Sequence, residues 1–158
     1  MMSSLKRVQN EFNELLEIDP DNISGSMNEE DNFIWDIVVQ GPKDSPYEGG
    51  IFFFKVTFPK DYPFKPFNII LQTKIYHPQF IQSKELSGSF KMCCCLTSTG
   101  LDSWTPAMTL PKILKETIMP YLSFPDFNNA CMNQDFIGKK YDEEFIKRAK
   151  EFTQKFAM

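Results

Sequence analysis

Hydrophobic residues near the start of the chain recur at three- and four-residue spacing, which is the spacing of one face of an α-helix. Ser3 and Ser4 stand at the front of this pattern and can cap the helix, and the turn-forming run DPDN at 19–22 follows it. We therefore predict an amphipathic first helix between these two signals. Its apolar positions are Leu5, Val8, Phe12, Leu15 and Leu16.

Three strand-like runs, rich in β-branched and aromatic residues, follow between residues 33 and 74. They are FIWDIVV, IFFFKVTF and FNIILQT, and the segments between them, GPKDSPYEGG and PKDYPFKP, are dense in turn-forming residues. Loops of this length connect neighbouring strands, so we predict an antiparallel meander. The earlier tripeptide Asn22-Ile23-Ser24 fits a glycosylation site, but without an export signal we interpret it as a turn.

Two further helices are predicted after residue 108. Thr109 as N-cap and Pro111 in the first turn open one helix, which Pro120 should end or kink. The acidic run at 142–144 opens the final helix, where negative charge complements the helix dipole. Strands followed by helices predict an α+β fold, and no linker or repeat divides residues 1–158, so we expect a single domain. The apolar face of the final helix is Phe145, Ala149, Phe152 and Phe156.

Composition and charge narrow the classes of partner. The 158 residues are 42% hydrophobic and 24% charged, as in folded globular proteins. The net charge of −4 argues against broad binding to nucleic acids or membrane surfaces. No apolar run is long enough to span a bilayer, and MMSSLKRVQN lacks the apolar core of a signal peptide. We expect an intracellular protein that acts on a protein partner or a small substrate.

The stretch GSFKMCCCLTSTG at 88–100 places three cysteines side by side. Apolar and polar residues alternate through it, so on a strand Cys94 would face inward while Cys93 and Cys95 share the outer face. Adjacent cysteines in a reducing compartment are poor disulfide partners. An outward thiol can act as a nucleophile, although free cysteines are often simply buried as small hydrophobic residues.

His77 is the one histidine of the chain and directly precedes Pro78, which favours extended backbone in a loop. A cysteine hydrolase would need this histidine as its base, whereas a lone histidine is more often a structural hydrogen-bonding group. Adjacent cysteines cannot all ligate one tetrahedral ion, and only one further Cys exists, so no metal site is predicted. The residues alone leave a hydrolase, a redox thiol and an inert thiol open.

Taken in order along the chain, the motifs resemble those of the ubiquitin-conjugating enzymes, in particular the short members that consist of the core domain. The motifs are GPKDSPYEGGIFFFKVTFPKDYPFKP, KIYHPQ, the cysteine run ending in Leu96, WTPAMTLPKIL and RAKEFTQKFAM. Each motif alone is weak, but their common order over nearly the whole chain is specific. The resemblance implies an N-terminal helix, a four-stranded antiparallel meander sheet and C-terminal helices.

The resemblance also implies an activity. A cysteine accepts ubiquitin, or a ubiquitin-like modifier, as a thioester from an activating enzyme and passes it to a substrate lysine, with a RING- or HECT-type ligase. No cofactor is expected, since the activating enzyme uses the ATP, and the implied location is the cytoplasm, the nucleus or both. The alternative is a catalytically weak or inactive variant that binds ubiquitin or a partner as a scaffold. A redox-sensing thiol protein is a third interpretation.

Functional positions follow from the resemblance residue by residue. The thioester cysteine is Cys93, favoured by the preceding Lys91 and Met92, or Cys95, favoured by the Cys-Leu step. The loop that holds His77 supports the site. Trp104 is interpreted as a core residue. The implied surfaces are Lys6 and Arg7 for the activating enzyme, Phe64, Pro106 and Ala107 for ligases, and Ser24 for ubiquitin on the back of the sheet.

Three positions depart from the family pattern. Gln79 replaces the asparagine of a His-Pro-Asn triplet, whose amide is thought to support the loop or the oxyanion, and it is one methylene longer. The segment 80–90 is longer than the usual link to the cysteine. Asn128 stands where many relatives carry an acidic residue near the incoming lysine, with Asp126 close by in sequence. An asparagine can orient an amine but cannot accept its proton.

Overall fold

The computed structural model describes residues 3–82, 90–92, 104–127, 136 and 138–158. An N-terminal helix is followed by strands and then by helical segments, which confirms the predicted α+β fold. The elements are α1 (Ser4–Ile18), β1 (Ile23–Met27), β2 (Ile34–Gln40), β3 (Ile51–Thr57), β4 (Asn68–Leu71), β5 (Phe80–Gln82), β6 (Phe90–Met92), α2 (Leu110–Ile113), a π-helical turn (Leu114–Ile118), α3 (Met119–Ser123) and α4 (Glu143–Phe156).

Helix α1 begins where its capping residue predicts. The Ser3 side chain accepts a hydrogen bond from the Lys6 N–H, which satisfies one free donor of the first turn. The buried face differs from the predicted one, because Leu5 and Leu16 are exposed. The helix therefore rests on a narrower stripe that includes one charged residue: its buried members are Val8, Glu11 and Leu15.

In the part of the chain that the structure describes, one sheet has the strand order β1-β2-β3-β4-β6-β5. The first four strands form the antiparallel meander that the family resemblance implies, in registers such as Ser24 opposite Val38 and Val38 opposite Phe53. The interpretation of residues 22–24 as a turn is confirmed for Asn22 but was wrong for the next two residues, because Ile23 begins β1. The strand was not predicted because its central residues, Ser24, Gly25 and Ser26, have a low preference for β-strands.

The helical stretch from Leu110 to Ser123 does not end at Pro120. Thr109 caps it as predicted, accepting from the Lys112 N–H. Just before the proline the hydrogen bonding widens, with the Met119 N–H donating to the Leu114 carbonyl five residues back. Because proline lacks an N–H and crowds the preceding turn, this π-helical turn lets the chain continue into α3 instead of breaking.

The core lies between the inner face of the sheet and the helices. Trp35, Ile37, Val39, Phe52 and Phe54 are at most 1% exposed, as the alternation along β2 and β3 predicts. On α4, Phe145 and Ala149 are buried, whereas Phe152 and Phe156 are half-buried. Among the described residues, no helix is both long and apolar enough to cross a membrane.

Candidate functional site

The predicted nucleophiles, Cys93 and Cys95, lie outside the described residues, and so does Asn128. The structure does describe the strand that leads to the cysteine run. Strand β6 ends at Met92, and Met92 pairs with Phe80 on β5. Phe80 in turn directly follows Gln79. The described surroundings of the site are therefore the segment 77–80 and the residues that contact it.

His77 is fully buried and hydrogen-bonded through both ring nitrogens. Its Nδ1 accepts from the Gln79 N–H at 3.0 Å, so the ring proton is on Nε2, which donates to the Tyr121 carbonyl at 2.7 Å. Burial lowers the pKa of His77 to about 3, against the opposing effect of the Tyr121 carbonyl. At neutral pH the ring is thus neutral, but its one basic nitrogen, Nδ1, is buried and already accepts from the Gln79 N–H, so it is not placed to take a proton from a thiol.

The side chain of Gln79 is also fully buried, and its amide bonds twice to the backbone of Asp126. Its Oε1 accepts from the Asp126 N–H at 3.0 Å, and its Nε2 donates to the Asp126 carbonyl. The extra methylene therefore does not withdraw the amide from the site. The two bonds join the loop after β4 to the loop after α3, and we call this pair of contacts the Gln79 clamp.

An open groove lies next to the Gln79 clamp, and its rim carries the exposed ring of Phe124. The ring centroid of Phe124 is 6.3 Å from that of Tyr141, just ahead of α4. Phe124 was not identified from the sequence. The signal that could have identified it is an aromatic residue directly before Pro125, near the predicted end of a helix. The groove residues are Pro120, Tyr121, Ser123, Phe124, Pro125 and Asp126.

The residues predicted to meet ligases lie on two loops, and all three are exposed. Phe64 is 64% exposed in the loop between β3 and β4, and Pro106 and Ala107 are exposed ahead of α2. The indole of Trp104 is buried as predicted, and its Nε1 donates to the Pro63 carbonyl at 2.7 Å. The structure thus brings the two predicted ligase loops into direct contact.

The two basic residues predicted to meet the activating enzyme differ in their surroundings. Lys6 is exposed on α1, whereas Arg7 is partly buried and donates to Glu11 and to two backbone carbonyls of the Pro106 loop. Ser24 is exposed on β1. The sequence reasoning missed Glu11, whose signal was an acidic residue within the apolar stripe of α1.

Comparison with known proteins gives the same family as the motifs. The sequence model of the family described as ubiquitin-conjugating enzyme matches residues 7–155. A Plasmodium yoelii protein assigned as a ubiquitin conjugating enzyme has a similar structure, with a TM-score of 0.81 and 29% identity over 100% of this chain and 97% of its own. The E2 domain of a Toxoplasma gondii ubiquitin conjugating enzyme gives a TM-score of 0.76 and 26% identity, covering 96% of this chain and 97% of that one. The chain therefore belongs to the ubiquitin-conjugating enzyme family.

Proposed function

We propose that the chain is an active ubiquitin-conjugating transferase, which carries ubiquitin or a ubiquitin-like modifier as a thioester on Cys93 or Cys95. The observation that carries this proposal is the Gln79 clamp. Both polar atoms of the Gln79 amide are bonded to Asp126, which fixes the loop directly ahead of β5, and β5 pairs with β6, the strand that precedes the cysteines in sequence. The departure at position 79 therefore preserves a loop contact.

The reaction consists of two acyl transfers. The cysteine thiolate attacks the thioester carbonyl between modifier and activating enzyme, a new C–S bond forms, and the thiolate of the activating enzyme leaves. A substrate lysine amine then attacks the new thioester, an amide forms, and the cysteine thiolate leaves. The attacking amine loses one proton to solvent water as the amide forms, because neutral His77 with both nitrogens bonded does not take it. In this proposal Asn128 orients the amine, and Asp126 supplies nearby negative charge.

The proposed partner surfaces consist of side chains that are exposed to solvent. Phe64, Pro106 and Ala107 offer an apolar patch to RING- or HECT-type ligases, since exposed aromatic residues beside a rigid loop are frequent binding hot spots. Lys6 on α1 offers positive charge to the activating enzyme, and Ser24 faces solvent for ubiquitin on the outer surface of the sheet. No cofactor is needed by this protein itself, and we propose action in the cytoplasm, the nucleus or both.

The proposal is tested by loading the purified protein with activating enzyme, ATP and ubiquitin. We expect an adduct on a gel that disappears with reductant, and either Cys93→Ala or Cys95→Ala should abolish it. Cys94→Ala and Cys131→Ala are the matched controls and should load normally. If the wild-type protein forms no adduct with ubiquitin or with any related modifier, the chain is a scaffold and the enzyme proposal fails.

A further inference from the structure

A buried carboxylate on α1 connects the two ligase loops. Glu11 is 3% exposed, and both its oxygens accept hydrogen bonds. Oε2 accepts from the Tyr62 hydroxyl at 2.7 Å and from Arg7 Nε at 2.6 Å, while Oε1 accepts from the Leu110 N–H at 2.8 Å. A carboxylate this deeply buried is tolerated because charged and polar donors surround it. The donors come from α1 and from the segments on either side of the ligase patch.

Arg7 extends this network to the backbone of the second loop. Its Nη2 donates to the carbonyls of Pro106 at 2.7 Å and Met108 at 2.9 Å. The guanidinium carbon also lies 5.5 Å from the centroid of the Tyr62 ring, within the range of a cation–π contact. Burial lowers the pKa of Arg7, but the hydrogen bond and charge of Glu11 outweigh it and raise that pKa above its ordinary value. The guanidinium therefore stays charged.

We propose that Arg7 and Glu11 are positioning residues, which fix two docking loops, residues 59–66 and 104–109, against α1 as a single ligase-binding unit. This inference rests on the proposed function, because the unit is the ligase surface of that same enzyme. It also reassigns Arg7. The donors of Arg7 described above point into the molecule, so Lys6 is the basic contact of this helix for the activating enzyme and Arg7 acts through the loops.

Geometry explains why both residues are needed. A ligase that covers Phe64 and Pro106 together must meet two patches carried by different loops, so their separation decides whether both contacts form. Three connections fix that separation: Trp104 to Pro63, Glu11 to Tyr62 of the first loop and to Leu110 directly after the second, and Arg7 to the Pro106 loop. A lysine at position 7 would retain the charge but could not reach the same three acceptors with one ammonium group.

The first test measures the loops in the free protein, without a ligase. The Phe64 N–H, bonded to the Asp61 carbonyl, and the Met108 N–H, bonded to the Thr105 carbonyl, report on one loop each. In Arg7→Ala and Glu11→Gln we expect amide exchange of both to accelerate about tenfold. Lys6→Ala, the matched control, should change neither. Acceleration of Met108 alone, with Phe64 unchanged, would show that the loops move independently and would overturn the proposal.

The second test separates positioning from contact. The probe is an isolated RING domain chosen because it stimulates discharge of ubiquitin from the wild-type protein. Arg7→Ala and Arg7→Lys should raise the RING concentration needed for half-maximal stimulation about tenfold, and leave loading and unstimulated discharge to free lysine unchanged. Lys6→Ala should instead slow loading. Arg7→Lys keeps a cation beside Glu11, so the comparison remains decisive where Arg7→Ala does not fold.

A general loss of stability would give a different pattern. Val39→Ala removes buried volume from β2, outside both docking loops, and should lower the melting temperature without changing the RING concentration for half-maximal stimulation. The opposing result would be that Arg7→Ala slows loading as much as Lys6→Ala does, while the RING concentration for half-maximal stimulation does not change. Arg7 would then be a contact for the activating enzyme, and the proposal would be refuted. Absence of any thioester on the wild-type protein would instead refute the proposed function, and the exchange measurement would still test the loops.

Discussion

At the scale of single residues, the segment 77–80 works as one hydrogen-bonded unit. The Gln79 N–H donates to the ring of His77, the ring donates to the Tyr121 carbonyl, and the Gln79 amide bonds the backbone of Asp126. Each buried polar atom in this series has a partner, which is the condition for burying it at low cost. Glutamine thus fits at this position because the backbone of Asp126 lies at the distance that the longer side chain spans.

Shortening this side chain tests that argument. Gln79→Asn withdraws the amide by about 1.5 Å, one C–C bond, and should break at least one bond to Asp126. An unpaired buried group costs about 1–3 kcal/mol, so we expect a loss of that size in unfolding free energy and an approximately tenfold slower discharge to free lysine. Gln72→Asn, the same change at an exposed position, is the control for thermal unfolding and single-turnover discharge. Discharge at the wild-type rate in Gln79→Asn would contradict a role for the clamp.

His77 predicts how stability depends on pH. Its pKa is lowered by burial to about 3 in the folded chain, against about 6.5 when unfolded, so protons bind preferentially to the unfolded state. Stability from this group is complete above the unfolded pKa and is lost as pH falls toward 3. We expect the unfolding free energy to drop by about 2 kcal/mol between pH 7 and pH 5.

The measurement is urea unfolding at both pH values, with His77→Gln as the comparison, since it lacks the titrating group. Because His77 is the one histidine of the chain, its imidazole nitrogen signals can also be assigned directly by NMR. They should show the neutral Nε2–H form from pH 5 to pH 8. A titration midpoint near 6.5 in the folded protein would refute the buried, hydrogen-bonded assignment.

At the scale of elements, patterns within a single segment predicted its structure, whereas features that depend on pairing with another segment or on a change in backbone hydrogen bonding were not predicted. The alternation along β2 and β3 and the cap at Thr109 appear as predicted. Strand β1 was missed because its three central side chains are small and its stability comes from pairing with β2, which no local pattern reports. At Pro120 the sequence left an end or a kink of the helix open, and it could not choose between them because the shift to five-residue hydrogen bonding is a property of the backbone.

The same division holds at the candidate site. The resemblance supplied the positions of Phe64, Pro106 and Gln79, because motifs record residue types in order. It could not supply the partner of the Gln79 amide or the bonds of Glu11, since these join residues up to 99 positions apart in sequence. Such contacts exist only once the chain has folded, so the docking unit became visible in the structure alone.

The loop between β3 and β4 holds the ring of Phe64 in solvent, outside the packed core. Phe64 is 64% exposed, so Phe64→Ala should change the unfolding free energy by less than about 0.5 kcal/mol. It should nevertheless weaken binding to a RING domain at least about tenfold, as removal of a central aromatic hot spot does. Phe124→Ala is the control and should bind normally, because Phe124 is similarly exposed, at 74%, but lies on the groove beside the Gln79 clamp. Titration calorimetry measures both variants, and equal affinities would remove Phe64 from the ligase surface.

At the scale of the whole molecule, the aromatic rings of the described residues form three clusters. One contains both tryptophans, through the contacts of Trp35 with Phe58 and of Trp104 with Phe67, at 4.5 and 5.6 Å between ring centroids. The second lies against α4. Tyr47 belongs to the third: its buried ring lies 5.3 Å from His77, and its hydroxyl donates to the Tyr76 carbonyl at 2.7 Å. One continuous buried core contains members of all three clusters, among them Trp35, Tyr47 and Phe145. The second cluster includes Tyr76, Phe127, Phe136, Tyr141 and Phe145.

This shared core predicts that the chain unfolds as one cooperative unit. Tryptophan fluorescence reports on the first cluster, while far-UV circular dichroism also reports on α4, so the two urea transitions should coincide if residues 1–158 form a single domain. Phe145→Ala opens a cavity against α4 and should lower both midpoints equally, at a cost of about 3–5 kcal/mol. Phe53→Ala, on the half-exposed outer face of β3, should cost much less. Loss of helical signal before the fluorescence change in Phe145→Ala would show that α4 unfolds independently, and that the shared core does not couple α4 to the tryptophan cluster.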